Sequence, residues 1–170
     1  MPFETPEGGL AIVYSQRPWT VIEHPSADGH TTPGLVGWRQ PGKYLSGRTP
    51  PVKLPGGKMY LSFFGGHVKH EYRGSRYFMG ALIFSADRPY SVIMATAEPL
   101  AWGTEASPTL LSSRPASGHP CCIYPAGCVI AGGEVIVSCG VNDSYNVFLH
   151  YDLADLMAKM TPVNAEGQFA

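Results

Sequence analysis

The sequence predicts an all-β chain made of antiparallel strands. Twenty glycines and sixteen prolines among 170 residues are too many helix breakers for a helical bundle, and only 15% of the residues are charged. Valine, isoleucine, tyrosine and phenylalanine, which favour strands, are plentiful. The third observation is a recurring pattern in which a Gly-Gly pair separates short apolar segments that alternate in polarity.

The Gly-Gly pattern occurs three times and predicts three β-hairpins. It reads FETPEGGLAIVYS at 3–15, VKLPGGKMYLSFFGG at 52–66 and GCVIAGGEVIVSCG at 127–140. Glycine pairs tolerate the positive φ angles that two-residue hairpin turns require, and alternation in the flanking residues puts one face of each strand in a core.

Further extended segments follow each hairpin and complete three units. They are WTVIEH at 19–24, RYFMGALIFSA at 76–86 with SVIMATA at 91–97, and NVFLHYDL at 146–153. Because β-propeller blades are small antiparallel sheets, we expect a partial propeller of about three blades within a single domain, 1–170. The blades would span about 2–27, 47–97 and 119–157, with long loops at 26–50 and 101–120. A β-sandwich is the alternative fold, and DLADLMAKM at 152–160 predicts one short C-terminal helix.

Charge and hydropathy exclude several classes of function. The net charge of −1 gives no basic patch for nucleic acid or for an anionic membrane surface. The first fifteen residues lack the basic and continuous apolar regions of a signal peptide, and no apolar run approaches the roughly 20 residues that span a bilayer. We therefore expect a cytoplasmic or virion location, and neither nucleic acid nor a membrane as a partner.

The four cysteines do not predict a metal site. Positions 121, 122, 128 and 139 lack Cys-x-x-Cys spacing, and the adjacent pair does not easily share one tetrahedral centre. Cys128 and Cys139 lie on opposite arms of the last hairpin, where either buried free thiols or a disulfide would fit. His67 and His70 could supply two metal ligands, although solvated loop histidines explain them as well. The sequence thus predicts no metal and no cofactor.

Three segments together resemble glycoside hydrolase family 130. They are SGRTPPVKLPGGKMYLSFFGG at 46–66, RYFMGALIFSADRPYSVIMATAEPL at 76–100 and YPAGCVIAGGEVIVSCGVND at 124–143. The resemblance runs in order over nearly all of residues 1–157 and implies a five-bladed propeller that cleaves or phosphorolyses β-mannosides. It covers only the C-terminal half of a family member, and the family's acid catalyst and phosphate-binding arginines belong to the other half.

The resemblance assigns four candidate binding residues and no catalytic residue. Asp143 matches an acidic residue that hydrogen-bonds a sugar hydroxyl, and Tyr77 matches a tyrosine that lines the pocket. Phe64 occupies the position of the family's phosphate-contacting histidine, so that only a shifted loop would bring His67 into that role. Arg48 lies near the family's basic residue but about one position out of step. An Asx turn at Asp143 and a bracing role for Arg48 are the ordinary alternatives.

Tryptophans add a further expectation about the binding surface. Trp19, Trp38 and Trp102 could stack on sugars, although at least one of them is expected in the core. A pocket built from aromatic faces and a hydrogen-bonding carboxylate can bind a glycan without cleaving it.

The sequence therefore predicts a glycan-binding or subunit-type module, with a mannoside-like ligand and no turnover of its own. Unpaired strand edges in a half propeller predict a partner: a second copy, a complementary half or a larger assembly. With such a half, the assembled site would be a β-mannoside phosphorylase or hydrolase. The alternatives are a structural or assembly protein, for example a virion surface or capsid-decorating component, and a fragment of a broken gene.

Overall fold

The predicted fold class is confirmed, because the protein consists of antiparallel sheets and one short helix. The computed structural model describes residues 1–35, 45–70, 74–103, 122–143 and 145–170, with the backbone alone described at 69–70 and 74–75. Trp38 and Cys121 lie outside the described residues. So does most of the predicted loop at 101–120.

Fourteen strands and one helix follow one another in the described part of the chain. In chain order they are β1 Pro2–Glu4, β2 Leu10–Gln16, β3 Trp19–His24, β4 Gly29–Thr32, β5 Leu45–Gly47, β6 Val52–Lys53, β7 Met59–His70, β8 Gly74–Ser85, β9 Val92–Thr96, β10 Ala101–Trp102, β11 Ile123–Ala131, β12 Glu134–Val141, β13 Tyr145–Asp152, α1 Leu153–Ala158 and β14 Met160–Pro162.

These strands form three sheets. The first sheet has the order β1-β2-β3-β4, and the third sheet has the order β11-β12-β13. The middle sheet has the order β14-β9-β8-β7-β5, with β10 paired to β8 and β6 paired to β7. Every strand pair is antiparallel, and the described strands close no barrel. This arrangement is consistent with a partial propeller or with a sandwich.

All three predicted hairpins are present, and each one turns at its Gly-Gly pair. Gly132 and Gly133 have φ angles of 60° and 85°, which suit a two-residue turn whose twist matches that of the flanking strands. The register Ala131↔Glu134 places the two glycines alone between β11 and β12. Local backbone conformation therefore favours these pairings.

The middle sheet is buried on both faces, which is why β7 and β8 are the most apolar strands. One set of alternating side chains, including Tyr60, Phe64 and Phe84, packs against Trp19 and Phe3 of the first sheet. We call this the first core. The opposite set packs against the third sheet in the second core, whose members include Leu61, Phe63, Met79, Ile83, Val135, Val137 and Cys139. The three sheets thus stack face to face.

A carboxylate clamp joins the first sheet to the turn after β8. Both Glu23 oxygens accept from Arg88, at 2.6 and 2.7 Å, and Oε1 also accepts from the hydroxyl of Tyr90 at 2.8 Å. His30 Nε2 lies 3.0 Å from the same oxygen. The Arg88 hydrogen bonds are the largest cause that lowers the pKa of Glu23, to about 2. The clamp therefore stays charged across the neutral range.

Several predicted boundaries differ from the structure. The segment 26–50, predicted as a loop, contributes β4 and β5, and β7 continues to His70, where His67 and His70 were expected in a loop. The helix is shorter than predicted because Asp152 caps it by accepting from Asp155 N at 3.0 Å. After the helix, β14 returns to pair with β9 of the middle sheet, a long-range contact that no sequence pattern indicated.

Candidate functional site

The turn between β12 and β13 holds a carboxylate in a fixed position. Asn142 and Asp143 have φ angles of 54° and 52°, a region that asparagine and aspartate tolerate better than most residues. Asn142 is buried, and its Oδ1 accepts from Cys122 N at 2.9 Å while its own N–H donates to Cys122 O at 2.9 Å. These two hydrogen bonds tie the turn to the start of β11 and so fix the backbone that carries Asp143.

Asp143 lies in a surface cleft of about 450 Å³ at this end of the third sheet. The described residues that line the cleft are Tyr124, Ala126, Gly140, Asp143, Tyr145 and Asn146. Tyr124 and Tyr145 are 44% and 38% exposed, so their rings are accessible from solvent. The cleft thus combines two aromatic rings, a carboxylate and an amide, the polar and stacking groups that a neutral hydroxylated ligand needs.

The floor of the cleft follows from the strand register. Gly140 pairs with Tyr124 on one side and with Asn146 on the other, so the three residues share one face of the third sheet. Val137 and Cys139 on the same strand are buried in the second core, which places Gly140 on the opposite, outer face. Because Gly140 has no side chain, the floor of the cleft between Tyr124 and Asn146 stays open.

Arg48 reaches the same cleft from the middle sheet. Its guanidinium carbon lies 4.0 Å from the centroid of the Tyr124 ring. The stem of Arg48 packs where a side chain on Gly65 would otherwise lie, since a Cβ there would come within 2.8 Å of Arg48 Nε. That Nε is buried and has no hydrogen-bond partner among the described residues. The sequence candidates Arg48 and Asp143 therefore both lie beside Tyr124, since Asp143 lines the cleft with Tyr124 and Arg48 contacts the Tyr124 ring.

His67 and Tyr77 form a separate pair. They are directly opposite each other on β7 and β8, with ring centroids 5.3 Å apart. His67 is four positions from Phe63 and Tyr77 is two positions from Met79, and residues an even number of positions apart in a strand share a face. Both therefore lie on the face of the middle sheet that is turned toward the third sheet. Neither is among the described residues that line the cleft. Phe64 points the other way, into the first core, and His67 lies within β7. The phosphate-contacting role of His67 stays a prediction.

The described cysteines are packing residues with unreactive thiols. Burial is the largest cause that raises the pKa of the thiols of Cys122, Cys128 and Cys139, in the last case to about 11. The charge of Asp143 adds to the effect at Cys122, whereas Arg48 opposes it. All three are free, and the register sets Cys139 opposite Pro125 and Cys128 opposite Val137, so the two thiols are not directly paired across the hairpin.

The remaining candidates have structural roles where the structure describes them. Trp19 is fully buried and donates from Nε1 to the carbonyl of Tyr90 at 2.9 Å, so it belongs to the core. Trp102 is half-buried and packs edge-on against Phe78. No cluster of three His, Cys, Asp or Glu side chains that could hold a metal occurs among the described residues. Within the same residues, no helix is long and apolar enough to cross a membrane.

Two solved structures share this fold. The β-1,2-mannobiose phosphorylase from Listeria innocua, solved with β-1,2-mannobiose, superposes with a TM-score of 0.64 at 17% sequence identity. A glycosyl hydrolase from Bacteroides ovatus superposes with a TM-score of 0.52 at 16% identity. Each match covers 94% of this chain and 45% of the other, so the chain spans less than half the length of either protein. No protein-family model matches the chain, and a search of curated proteins also finds no match.

These likenesses support the family resemblance at the level of the fold. At identities of 16–17% these likenesses show the fold alone and leave the site to be argued from its own residues. Those residues include Tyr124, Tyr145 and Asn146, which the sequence interpretation did not single out. The sequence could have indicated them by their positions, since Tyr145 and Asn146 come just after the Asp143 turn and Tyr124 is the second residue of β11, which pairs with β12.

Proposed function

We propose that this chain is a carbohydrate-binding module or subunit whose ligand occupies the cleft at Asp143. The single observation that carries the proposal is the cleft itself, in which two exposed tyrosine rings flank a carboxylate held by a fixed turn. A volume of about 450 Å³ falls within the size of small-molecule sites, which are roughly 300–1,000 Å³.

Each lining group has a role that suits a sugar. The rings of Tyr124 and Tyr145 offer flat apolar faces for the C–H face of a pyranose. The carboxylate of Asp143 accepts hydrogen bonds from hydroxyl groups, and the amide of Asn146 both donates and accepts. Arg48 packs over the Tyr124 ring at 4.0 Å and supports this wall of the cleft by a cation–π contact.

The same cleft argues for binding without cleavage by this chain alone. Glycosidic cleavage needs a positioned acid together with a second carboxylate or an anionic nucleophile such as phosphate. Among the described lining residues, Asp143 is the single carboxylate. If a complementary half supplies the acid and the phosphate site, the assembled protein would be a β-mannoside phosphorylase or hydrolase, with Asp143 and Tyr77 as the sugar-binding residues that the family resemblance assigns.

Titration calorimetry and NMR with β-1,2-mannobiose and other mannosides test the proposal. We expect dissociation constants on the order of 1 mM for the chain alone, since the cleft is shallow and open. Replacing Tyr124 with serine, or Asp143 with asparagine, should weaken binding about tenfold. Phe148→Ser is the matched control, because Phe148 is an exposed aromatic residue on the same sheet that does not line the described cleft. Absence of binding to any mannoside, with or without a partner, would remove the proposal.

A second candidate function is that of a structural or assembly component, and exposed apolar side chains favour it. Leu10 and Ile12 are exposed on the outer face of the first sheet, and Val129 and Phe148 on the outer face of the third. Stacked sheets normally bury such faces, which supports a partner: a second copy, a complementary half or a larger particle. Native mass spectrometry of material from the source separates these cases. A chain that stays monomeric at all concentrations and copurifies with nothing would argue against assembly.

A further inference from the structure

We infer that a second binding site, for a neutral polyhydroxy compound such as a pyranose sugar, lies between the first and middle sheets. A cavity of about 330 Å³ opens there between β2 and β5. The described residues that line it are Met1, Val13, Tyr14, Ser15, Gln16, Leu45, Ser46 and Gly47. The cavity shares none of its described lining residues with the Asp143 cleft, so this inference does not rest on the proposed function.

Gln16 is the residue that points to a ligand. The side chain is buried, 6% exposed, and its Oε1 has no hydrogen-bond partner among the described residues. A buried acceptor without a donor is costly, and native proteins usually satisfy such groups. Gln16 itself lines the cavity, and the terminal torsion of glutamine is broad, so rotation of the amide can present Oε1 to a ligand there. The site therefore presents an acceptor that needs a hydroxyl or amide donor.

Gly47 shows that the cavity wall is built closely around this amide. A Cβ at Gly47 would lie 2.7 Å from Gln16 Nε2 and would overlap the thioether of Met1. The absent side chain is thus what lets the Gln16 amide sit at the end of β5. The neighbouring residue, Arg48, extends to Tyr124 instead, so that one short segment borders both the cavity and the cleft.

The other lining groups define the ligand as neutral and hydroxylated. Tyr14 is 74% exposed at the mouth, where its ring can stack on the ligand. The hydroxyl of Ser46 makes only a long hydrogen bond, 3.5 Å, to Gly65 O, and can exchange it for a ligand hydroxyl. No described lining side chain carries a charge, and the terminal ammonium of Met1 already donates to Val13 O at 2.9 Å. A charged ligand would find no counter-charge from these side chains.

NMR titration of the whole chain with D-mannose tests the inference directly. We expect saturable shifts of the Gln16 side-chain amide and of the backbone amides at 14–16 and 45–47, with affinity in the millimolar range, about 1–50 mM. Gln16→Met keeps the shape and removes the acceptor, and should weaken these shifts about tenfold, the equivalent of one hydrogen bond. Glucuronate and glucosamine, which are charged pyranoses, should bind more weakly than mannose.

Two further variants make the outcome decisive. Tyr14→Ser changes an exposed side chain, so it should weaken binding severalfold without affecting folding, even if Gln16→Met does not fold. Tyr124→Ser should weaken the shifts around the Asp143 cleft about tenfold and leave those at 14–16 unchanged, which separates this site from the proposed one. No shift at Gln16 up to about 100 mM mannose, or a Gln16→Met protein that is more stable and binds mannose unchanged, would overturn the inference and leave a hydrated cavity only.

Discussion

Replacing Glu23 with glutamine should weaken the attachment of the first sheet to the middle sheet. The substitution keeps the size of the side chain but removes the charge that accepts two hydrogen bonds from Arg88 and one from Tyr90. The Glu23 side chain is 15% exposed, so these bonds are largely shielded, whereas Arg88 is 48% exposed and partly hydrated. The free energy of unfolding should therefore fall by more than the contribution of a surface ion pair and by less than that of a fully buried one.

The size of the effect follows from the pKa of Glu23. A pKa of about 2 instead of the ordinary 4.5 corresponds to about 3 kcal/mol if no solvent competes. Because Arg88 is half exposed, screening reduces this to about 1–2 kcal/mol. For a protein of this size each kcal/mol shifts the melting temperature by about 2–4 °C. Thermal unfolding of Glu23→Gln at pH 7 should thus show a decrease of about 2–8 °C in melting temperature.

The pH dependence has a definite sign. The pKa of Glu23 is lower in the folded protein than in the unfolded chain, so the stabilisation is complete above about pH 4.5 and is lost as the pH falls toward about 2. The difference in urea midpoint between the natural protein and Glu23→Gln should therefore shrink below pH 4.5. A constant difference from pH 7 to pH 2.5 would mean that the carboxylate charge is not what stabilises the clamp.

Glu7→Gln is the matched control for this experiment. Glu7 Oε1 lies 3.6 Å from Arg88 Nη1, but its side chain is 62% exposed. An exposed ion pair contributes little, so we expect a change below about 0.5 kcal/mol. Equal effects of the Glu7 and Glu23 variants would refute the reasoning, because they would assign the stabilisation to net charge rather than to the hydrogen bonds of the clamp.

Three other predictions follow from individual contacts. Asn142→Ala should destabilise the protein by about 2–3 kcal/mol in urea unfolding, because the buried N–H of Cys122 loses its acceptor and alanine must adopt a positive φ. Asn142→Gly is the control, because glycine tolerates the positive φ and only the hydrogen bond is lost. Phe64→His should lower the melting temperature, because it places a polar ring in the first core at a cost of about 3 kcal/mol or more. Titration of this variant with phosphate should show no gain of phosphate binding. Alkylation of the native protein at pH 8, followed by mass spectrometry, should leave Cys122, Cys128 and Cys139 largely unmodified until denaturant is added. The reason is that burial raises the pKa of each thiol and keeps it protonated. Rapid labelling of Cys139 in the native protein would contradict its place in the second core.

The parts of the fold that the sequence predicted are the local ones. A Gly-Gly pair between alternating segments specifies a hairpin through backbone φ angles and side-chain alternation, both of which act over fewer than twenty residues. The return of β14 to β9 joins residues more than sixty positions apart through a strand of three residues, which is too short to show periodicity. The expected loop at His67 and His70 was wrong, because β7 continues through Gly65 and Gly66 to His70.

Those two glycines lie in the middle of β7 for packing reasons. The ring of Phe78 occupies the space beside Gly66, and Arg48 occupies the space beside Gly65. Neither neighbour is near in sequence, so the pair could not be distinguished from a turn by local pattern. The site shows the same limit: the Asp143 turn was visible in the sequence, whereas the contact between Arg48 and Tyr124 depends on how the middle and third sheets meet.

Under the proposed function, the position of the cleft would couple sugar binding to assembly. Tyr124, Gly140 and Asn146 lie on the outer face of the third sheet, the face on which another sheet would pack if the stacking of the first and second cores continued. A partner on this face would add an opposite wall to a cleft that is now open to solvent. Sugar affinity should then rise with partner binding, and by thermodynamic reciprocity the sugar should tighten the assembly by the same factor. A partner that blocks the cleft would instead compete with the sugar. Measuring mannoside affinity with and without the partner therefore distinguishes an assembled sugar site from a scaffold reused for packing.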